Sequence, residues 1–258
     1  MRVPQSIRRV TDPLLERVPV LIAGGVNRGL WWNLASAGSG YASGRRAALQ
    51  MRCIASLVKP GDVVWDVGAH HGYVTLCAAR RVGHTGSVHA FEPSARNRRL
   101  LSRHIAWNGF DNVVIHPYAL SSYNGDATFG GTDTSKMLHL GGGTERVEVR
   151  TADSLVTSGV VPAPSFVKVD VEGAEAELLQ GAGDLLRKDA RLVIAMHSRE
   201  VFQQCSAILR AAGNSLVESR ALSACEHADW IGDPDLYAAG PARTDKAREA
   251  DALRAVGF

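Results

Sequence analysis

The sequence predicts a doubly wound α/β fold built on one main sheet, and three observations carry that prediction. Short apolar runs alternate regularly with helical patterns from residue 62 to residue 212. The first of those runs leads straight into a glycine turn, Gly68-Ala69-His70-His71-Gly72, that opens a helix. The second run ends on a carboxylate, Glu92, twenty residues beyond Gly72. That order of parts is how such a sheet holds a nucleoside.

Each element follows from local chemistry. Residues 1–60 read as a helical and hairpin cap: Leu14, Leu15, Val18, Leu21 and Ile22 recur at helical spacing, with Pro13 and Pro19 limiting that helix to short pieces. Residues 29–35 read as a strand, and 45–58 as an amphipathic helix stopped by Lys59-Pro60-Gly61. Residues 61–258 then form one domain. Its strands are expected at 63–67, 87–92 and 113–116, with helices at 73–81 and 94–107; Pro93 and Ser94 start the second helix and Asn108-Gly109 closes it. Residues 121–150 interrupt the rhythm with glycines and hydroxyl residues and read as a flap or hairpin insertion, with short strands near 127–129 and 146–150, able to close over a substrate. Strand 166–171, helix 174–186, strand 191–197 and helix 200–212 follow, and 215–218 and 236–239 form a terminal strand pair joined by a polar loop.

A chain of 258 residues, 45% hydrophobic and 21% charged, suits one decorated α/β domain. The net charge of +3 conceals nine Lys/Arg against two Asp/Glu in residues 1–60. A solvated basic surface is the favoured reading of that bias, ahead of contact with anionic lipid or an acidic substrate. Cys53, Cys77, Cys205 and Cys225 include no C-x-x-C pair, which points to reduced thiols and a cytoplasmic protein. The apolar run from Val18 is too short to span a bilayer and lacks the form of a signal peptide. A homo-oligomer is compatible with the sequence and not specified by it.

The turn is not a dinucleotide loop, because His70 stands where G-x-G-x-x-G needs its second glycine. Asp66, just before the turn, suits an ammonium, and Glu92 suits two ribose hydroxyls; S-adenosyl-L-methionine carries both groups. The strand around Val167-Lys168-Val169-Asp170-Val171-Glu172-Gly173 alternates polar and apolar residues, where a central parallel strand is normally apolar on both faces. Topology places Asp170 and Glu172 beside the turn, with His197 at the end of the neighbouring strand. Removing a proton from an aliphatic hydroxyl needs a base, and these three are the candidates, His197 first because its ordinary pKa lies near neutrality. Each also has a structural reading, as a helix cap, an ion-pair partner or a satisfied histidine. Asp170 and His197 could hold a divalent metal, but two ligands are too few, so no metal is expected. No Asn/Asp-Pro-Pro-aromatic sequence and no interleaved basic and aromatic residues are present, so nucleic acid is not expected as a partner.

The stretches Asp62-Val-Val-Trp-Asp-Val-Gly-Ala-His-His-Gly-Tyr, Ala90-Phe-Glu-Pro, Asn108-Gly-Phe-Asp-Asn-Val, Ala119-Leu-Ser, Thr151-Ala-Asp-Ser-Leu and Val167-Lys-Val-Asp-Val-Glu-Gly-Ala-Glu resemble the FkbM family of S-adenosylmethionine-dependent methyltransferases over about residues 40–200. The resemblance implies the class I, Rossmann-like fold with a seven-stranded sheet, and O-methylation of sugars, macrocycles or other secondary metabolites. It assigns Asp66, Gly68 and Gly72 to the cofactor loop, where Ala69 and His70 also lie, Glu92 to the ribose, and Ala119 and Leu120 to the adenine region. His70-His71 depart from the family's usual Asn-Ile; either histidine reaches the cofactor carboxylate or packs outward. Ala195 replaces a glutamate usual in the family two residues before His197. The reading reached is an O-methyltransferase of a small hydroxylated natural product, macrolide or saccharide. A nitrogen or carboxylate acceptor, or a degenerate cofactor-binding scaffold, are the alternatives.

Overall fold

A computed structural model describes residues 13–36, 40–130, 139–140, 144–219, 234–241 and 243–258. The first two strands among the described residues form a hairpin, β1 (Pro19–Leu21) and β2 (Trp31–Asn33). The helical spacing of residues 14–22 does not survive as a helix through this stretch. Pairing Val20 with Trp32 turns that face of the hairpin inward, and Trp32 becomes fully buried. Helix α1 (Ala48–Leu57) starts later than the expected residue 45, because Ala47 takes a left-handed backbone with φ 47°.

The regular part follows as read: β3 (Val63–Val67), α2 (Tyr73–Val82), β4 (Ser87–Phe91), α3 (Ala95–Trp107) and β5 (Val113–His116). The side chain of Ser94 caps α3 by accepting from the Asn97 N–H. Strands β6 (Ala119–Leu120), β7 (Gly125–Gly130), β8 (His139–Leu140) and β9 (Glu145–Arg150) make a second sheet in the order β6-β9-β7-β8. The described part of the expected insertion is thus an antiparallel β7–β9 hairpin with an added edge strand; positions 131–138 and 141–143 of the expected flap lie outside the described residues.

Helix α4 (Ala152–Thr157), capped by the Thr151 side chain, precedes β10 (Phe166–Val169). The single helix expected over 174–186 is two, α5 (Glu175–Gln180) and α6 (Gly183–Leu186). They break at Gly181, where a Cβ would overlap the carbonyl of Ser121. Strand β11 (Arg191–Ala195), α7 (Arg199–Ala211), β12 (Ser215–Glu218), β13 (Asp235–Ala239) and α8 (Lys246–Ala255) complete the chain. The polar loop between β12 and β13, with Cys225, lies outside the described residues; Cys53, Cys77 and Cys205 are buried free thiols.

The main sheet runs β12-β13-β11-β10-β3-β4-β5, with β13 antiparallel between β11 and β12 and the rest parallel. Strand order reverses between β3 and β10, whose ends align as Val67 with Val169. Ligands bind at the carboxyl ends of strands at such a reversal. One face buries Trp65, Val167 and Leu192 under α5 to α7; the other buries Val64, Phe166 and Val193 under α1, α2 and Trp32. The N-terminal segment is therefore part of a core. It is also fastened to α3: buried Glu16 pairs with Arg96 at 3.0 Å and Arg99 at 3.3 Å, Arg103 donates to its carbonyl, and His104 accepts from the Asn33 N–H. No helix among the described residues is long and apolar enough to cross a membrane.

Candidate active site

The glycine turn is shaped by what it must avoid. Gly68 has φ 78°, and a Cβ there would overlap the carbonyl oxygen of Asp170, so the turn lies directly on the segment that follows β10. The N–H groups of Gly68 and Ala69 both donate to the Phe91 carbonyl at 3.0 Å. The His70 N–H donates to Glu92 Oε2 at 2.7 Å, with His70 at φ 51°. Gly72, at φ 90°, starts α2 where a side chain would strike Leu101.

Glu92 is buried, and its Oε1 accepts from the Ser94 N–H at 2.9 Å and from Asn97 Nδ2 at 3.2 Å. Burial raises its pKa, against the lowering effect of those donors and of the His70 N–H. Leu120 packs in one apolar cluster with Phe91, the neighbour of Glu92, while Ala119 packs with Phe129, Val147 and Val149 of the second sheet.

Asp66 stands differently from the expectation that it meets a ligand's ammonium. It is fully buried, accepts from the Thr75 hydroxyl at 2.5 Å, and has the chain's own ammonium, Lys168 Nζ, 3.6 Å from Oδ1. Lys168 also reaches Asp170 at 3.3 Å and donates to the Gly68 carbonyl at 3.3 Å. It ties β3, the turn and β10 together from beneath. Burial would lower the Lys168 pKa, but Asp170 and Asp66 raise it overall, so the lysine is charged.

Neither histidine of the turn packs outward. The rings of His70 and His71 stack with centroids 3.8 Å apart, and His71 Nδ1 lies 3.0 Å from the Ser36 hydroxyl. Burial, with lesser contributions from nearby positive groups, pushes His70 down to about 4 and His71 to about 2. Both are neutral at physiological pH. The Nε2 atoms of both are buried with no hydrogen-bond partner among the described residues. Behind them Trp32 stacks on His104 at 3.9 Å, and His104 Nδ1 donates to the His71 carbonyl at 2.7 Å.

Asp170, Glu172 and His197 come together at the ends of β10 and β11. His197 Nε2 lies 3.4 Å from Asp170 Oδ1 and 3.6 Å from Glu172 Oε2. Glu172 has φ 55°, in the left-handed region, where a side chain costs about 1–3 kcal/mol unless its surroundings hold it there. Glu175, which sequence reasoning left unassigned although it closes the quoted Val167–Glu175 motif, holds it. Fully buried, its Oε1 accepts from the N–H groups of Val171 at 3.1 Å and Gly173 at 3.2 Å, and lies 2.9 Å from His197 Nδ1.

This geometry corrects the reason for ranking His197 first as a base. Burial alone would lower its pKa, but hydrogen bonds to Asp170 and Glu175 and their charges raise it to about 10. An imidazole that already holds its proton at neutral pH cannot accept another. Burial works against ionisation of Asp170, yet Lys168 and His197 hold its carboxyl well below the usual range. Glu172 is the most exposed of the three side chains, at 41% against 33% for Asp170 and 14% for His197. The ligand pair Asp170 and His197, too few in sequence to hold a metal, becomes a triad with Glu172, their ligand atoms all within 4.8 Å of one another.

Comparison with known proteins identifies the family. Residues 66–225 match the family described as the Methyltransferase FkbM domain. The chain is 31% identical over 154 residues to the hexuronic acid methyltransferase AglP of Haloferax volcanii, an alignment covering 57% of this chain and 61% of that protein. The chain thus spans about three-fifths of the length of that relative. The crystal structure of methyltransferase FkbM from Methylobacillus flagellatus KT is 18% identical with a TM-score of 0.50, covering 69% of this chain and 43% of that one, a likeness of fold.

Proposed function

This chain belongs to the FkbM methyltransferase family and uses S-adenosylmethionine as methyl donor, and from that premise we propose that its acceptor is a hydroxyl of a saccharide or similar small hydroxylated compound. S-adenosylmethionine supplies an electrophilic methyl on a sulfonium. The residues present suit it: a side-chain-free approach at Gly68, a pre-set Glu92 carboxylate facing the turn for the ribose, and an unpartnered buried His70 Nε2. Asp66 and Lys168 contribute from below by holding that turn in place.

The observation that carries the acceptor reading is the juxtaposition of Gly68 with the Asp170–Glu172–His197 cluster. An acceptor entering there meets the carboxylates of Asp170 and Glu172, which disfavour an anionic group and favour a neutral hydroxyl. In-line alignment of that oxygen supplies much of the rate. Glu172 takes the proton, since Asp170 is held ionised by Lys168 and His197 is already protonated. The relative's activity toward a hexuronic acid supports a sugar-like acceptor. We place acceptor choice in residues 1–60 and the insertion of residues 121–150, and the enzyme in the cytoplasm, in keeping with its buried free thiols.

The test is transfer of labelled methyl to a panel of neutral glycosides and hexuronic acids, followed by mild alkali. Alkali-stable label on a neutral sugar is the expected result. Label found only on uronic acids and released by alkali marks a carboxylate acceptor and overturns the hydroxyl reading. A folded protein that does not bind S-adenosylmethionine would be a scaffold.

A further inference from the structure

We propose that Asp170, Glu172 and His197 form a binding site for a divalent cation, a proposal that deepens the methyltransferase reading and rests on it for the cation's part in the reaction. The separations of 3.4 and 3.6 Å from His197 Nε2 to the two carboxylates are longer than the about 2.7–2.9 Å of a well-formed charge-assisted hydrogen bond. They stand close to the spacing of neighbouring ligands of one ion: in an octahedral site, bonds of about 2.0–2.3 Å set adjacent donor atoms about 2.8–3.3 Å apart, a few tenths of an ångström closer than these.

A second observation comes from behind the cluster. Glu175 is fully buried, its Oε2 has no hydrogen-bond partner among the described residues, and its Oε1 engages His197 Nδ1. With Nδ1 committed to that carboxylate, the ring presents Nε2 toward Asp170 and Glu172 as its ligand atom. A carboxylate behind the imidazole is the outer partner that metal-bound histidines characteristically have, fixing the tautomer and strengthening the ligand. The left-handed backbone of Glu172, anchored through the Val171 and Gly173 N–H groups to the same Glu175, aims the third ligand.

Two carboxylate oxygens and one imidazole nitrogen suit a cation of the Mg²⁺ or Mn²⁺ type, and three protein ligands leave coordination positions for an acceptor oxygen. The partial exposure of Asp170 and Glu172 puts those positions on the open side, next to Gly68. The cation would lower the pKa of the hydroxyl bound to it. The proton passes to the second oxygen of Glu172; the acceptor oxygen bonds to the methyl carbon as the sulfur–carbon bond breaks, and the sulfonium departs as a neutral thioether. No oxidant or reductant is needed.

The probe is Mn²⁺ alone, added to the chelator-stripped full chain and followed by paramagnetic resonance and calorimetry, with S-adenosylmethionine affinity measured on the same samples. One Mn²⁺ per chain is expected. Asp170→Asn, Glu172→Gln and His197→Gln should each weaken it tenfold or more, about 1.4 kcal/mol, and Glu175→Gln about 10- to 100-fold. Glu172→Gln, at the most exposed ligand and of unchanged shape, keeps the test valid should a buried variant fail to fold. No saturable Mn²⁺ binding by a protein that binds S-adenosylmethionine overturns the cation site and leaves the methyltransferase reading intact. Unchanged Mn²⁺ binding in Glu172→Gln, Asp170→Asn and His197→Gln also overturns it. Mn²⁺ binding without S-adenosylmethionine binding supports the ion site and overturns the reading on which its catalytic part depends.

Discussion

Glu175 Oε1 stands 2.9 Å from His197 Nδ1 with no exposure to solvent, so a carboxylate from the start of α5 sets the charge state of a histidine at the end of β11. Removing that charge in Glu175→Gln should lower the His197 pKa from its value of about 10, by about 1–3 units. A histidine whose pKa is raised on folding contributes stability that is complete below its unfolded value of about 6.5 and is lost as pH rises through its folded value. In the metal-free protein, stability should therefore decline between about pH 6.5 and 10. The variant's decline should end at lower pH. Imidazole proton resonances report the shift, and an unmoved His197 resonance would remove Glu175 from control of it.

Four other histidines, three of them at or behind the turn and His89 on β4, make the opposite demand. His70, His89 and His104 are lowered to about 4 and His71 to about 2, chiefly by burial. A depressed histidine pKa means that the unfolded chain binds protons first, so stability is lost as pH falls below about 6.5. Each such histidine contributes up to about 1.4 kcal/mol per pH unit down to its folded pKa. Denaturant titrations between pH 7 and 5 should show a steep loss, and His104→Gln should make it shallower by one proton's worth. A flat profile would contradict the buried neutral histidines.

Gly68 and Gly173 both have positive φ, but only Gly68 lacks room for a side chain. Gly68→Ala should cost more than about 3 kcal/mol and abolish S-adenosylmethionine binding, since overlap adds to backbone strain. Gly173→Ala meets no atom within 4 Å and should cost only about 1–2 kcal/mol, the strain alone. Thermal melts of the two variants separate the effects. Equal losses would mean that the contact with Asp170 is not what requires glycine at position 68.

Glu92→Gln should weaken S-adenosylmethionine about 10- to 100-fold, or roughly 1.5–3 kcal/mol, by calorimetry. Part of that loss comes from the His70 and Ser94 N–H groups, which donate to different carboxylate oxygens, so that a glutamine leaves one of them facing an NH2 group. An unchanged dissociation constant would take Glu92 out of the nucleoside site.

The regular βα segments were legible because their signals are local. Alternating apolar runs and helix caps such as Ser94 report the same structure at every scale, so β3 to β5 and their helices lie within a residue or two of expectation. What was not legible depends on distant partners. The break at Gly181 comes from the Ser121 backbone, sixty residues away in sequence, and the β1–β2 hairpin overrides a helical spacing because Trp32 finds a buried place against His104. The same holds in the site. Spacing brought Asp170, Glu172 and His197 to neighbouring strand ends, but the ordinary pKa of histidine misled, because Glu175 had not been assigned a partner. Asp66 was given to a ligand because nothing in its own neighbourhood reveals Lys168 beneath it.

The fastening of the N-terminal segment has a consequence for how the chain is made. Glu16 finds Arg96, Arg99 and Arg103 at sequence separations of 80, 83 and 87, and Trp31 finds Asn108 at 77. The segment is synthesised before α3 and waits for that helix to leave the ribosome before it can be secured. Closing so long a loop adds conformational entropy to the barrier and slows folding. During that interval Ile22, Leu30 and Trp32, destined for the core, are uncovered alongside Leu14, Leu21 and Trp31, which stay exposed even in the finished fold. Nascent chains of this protein should thus be most prone to self-association while this segment has emerged and α3 has not, a vulnerability set by the order of translation.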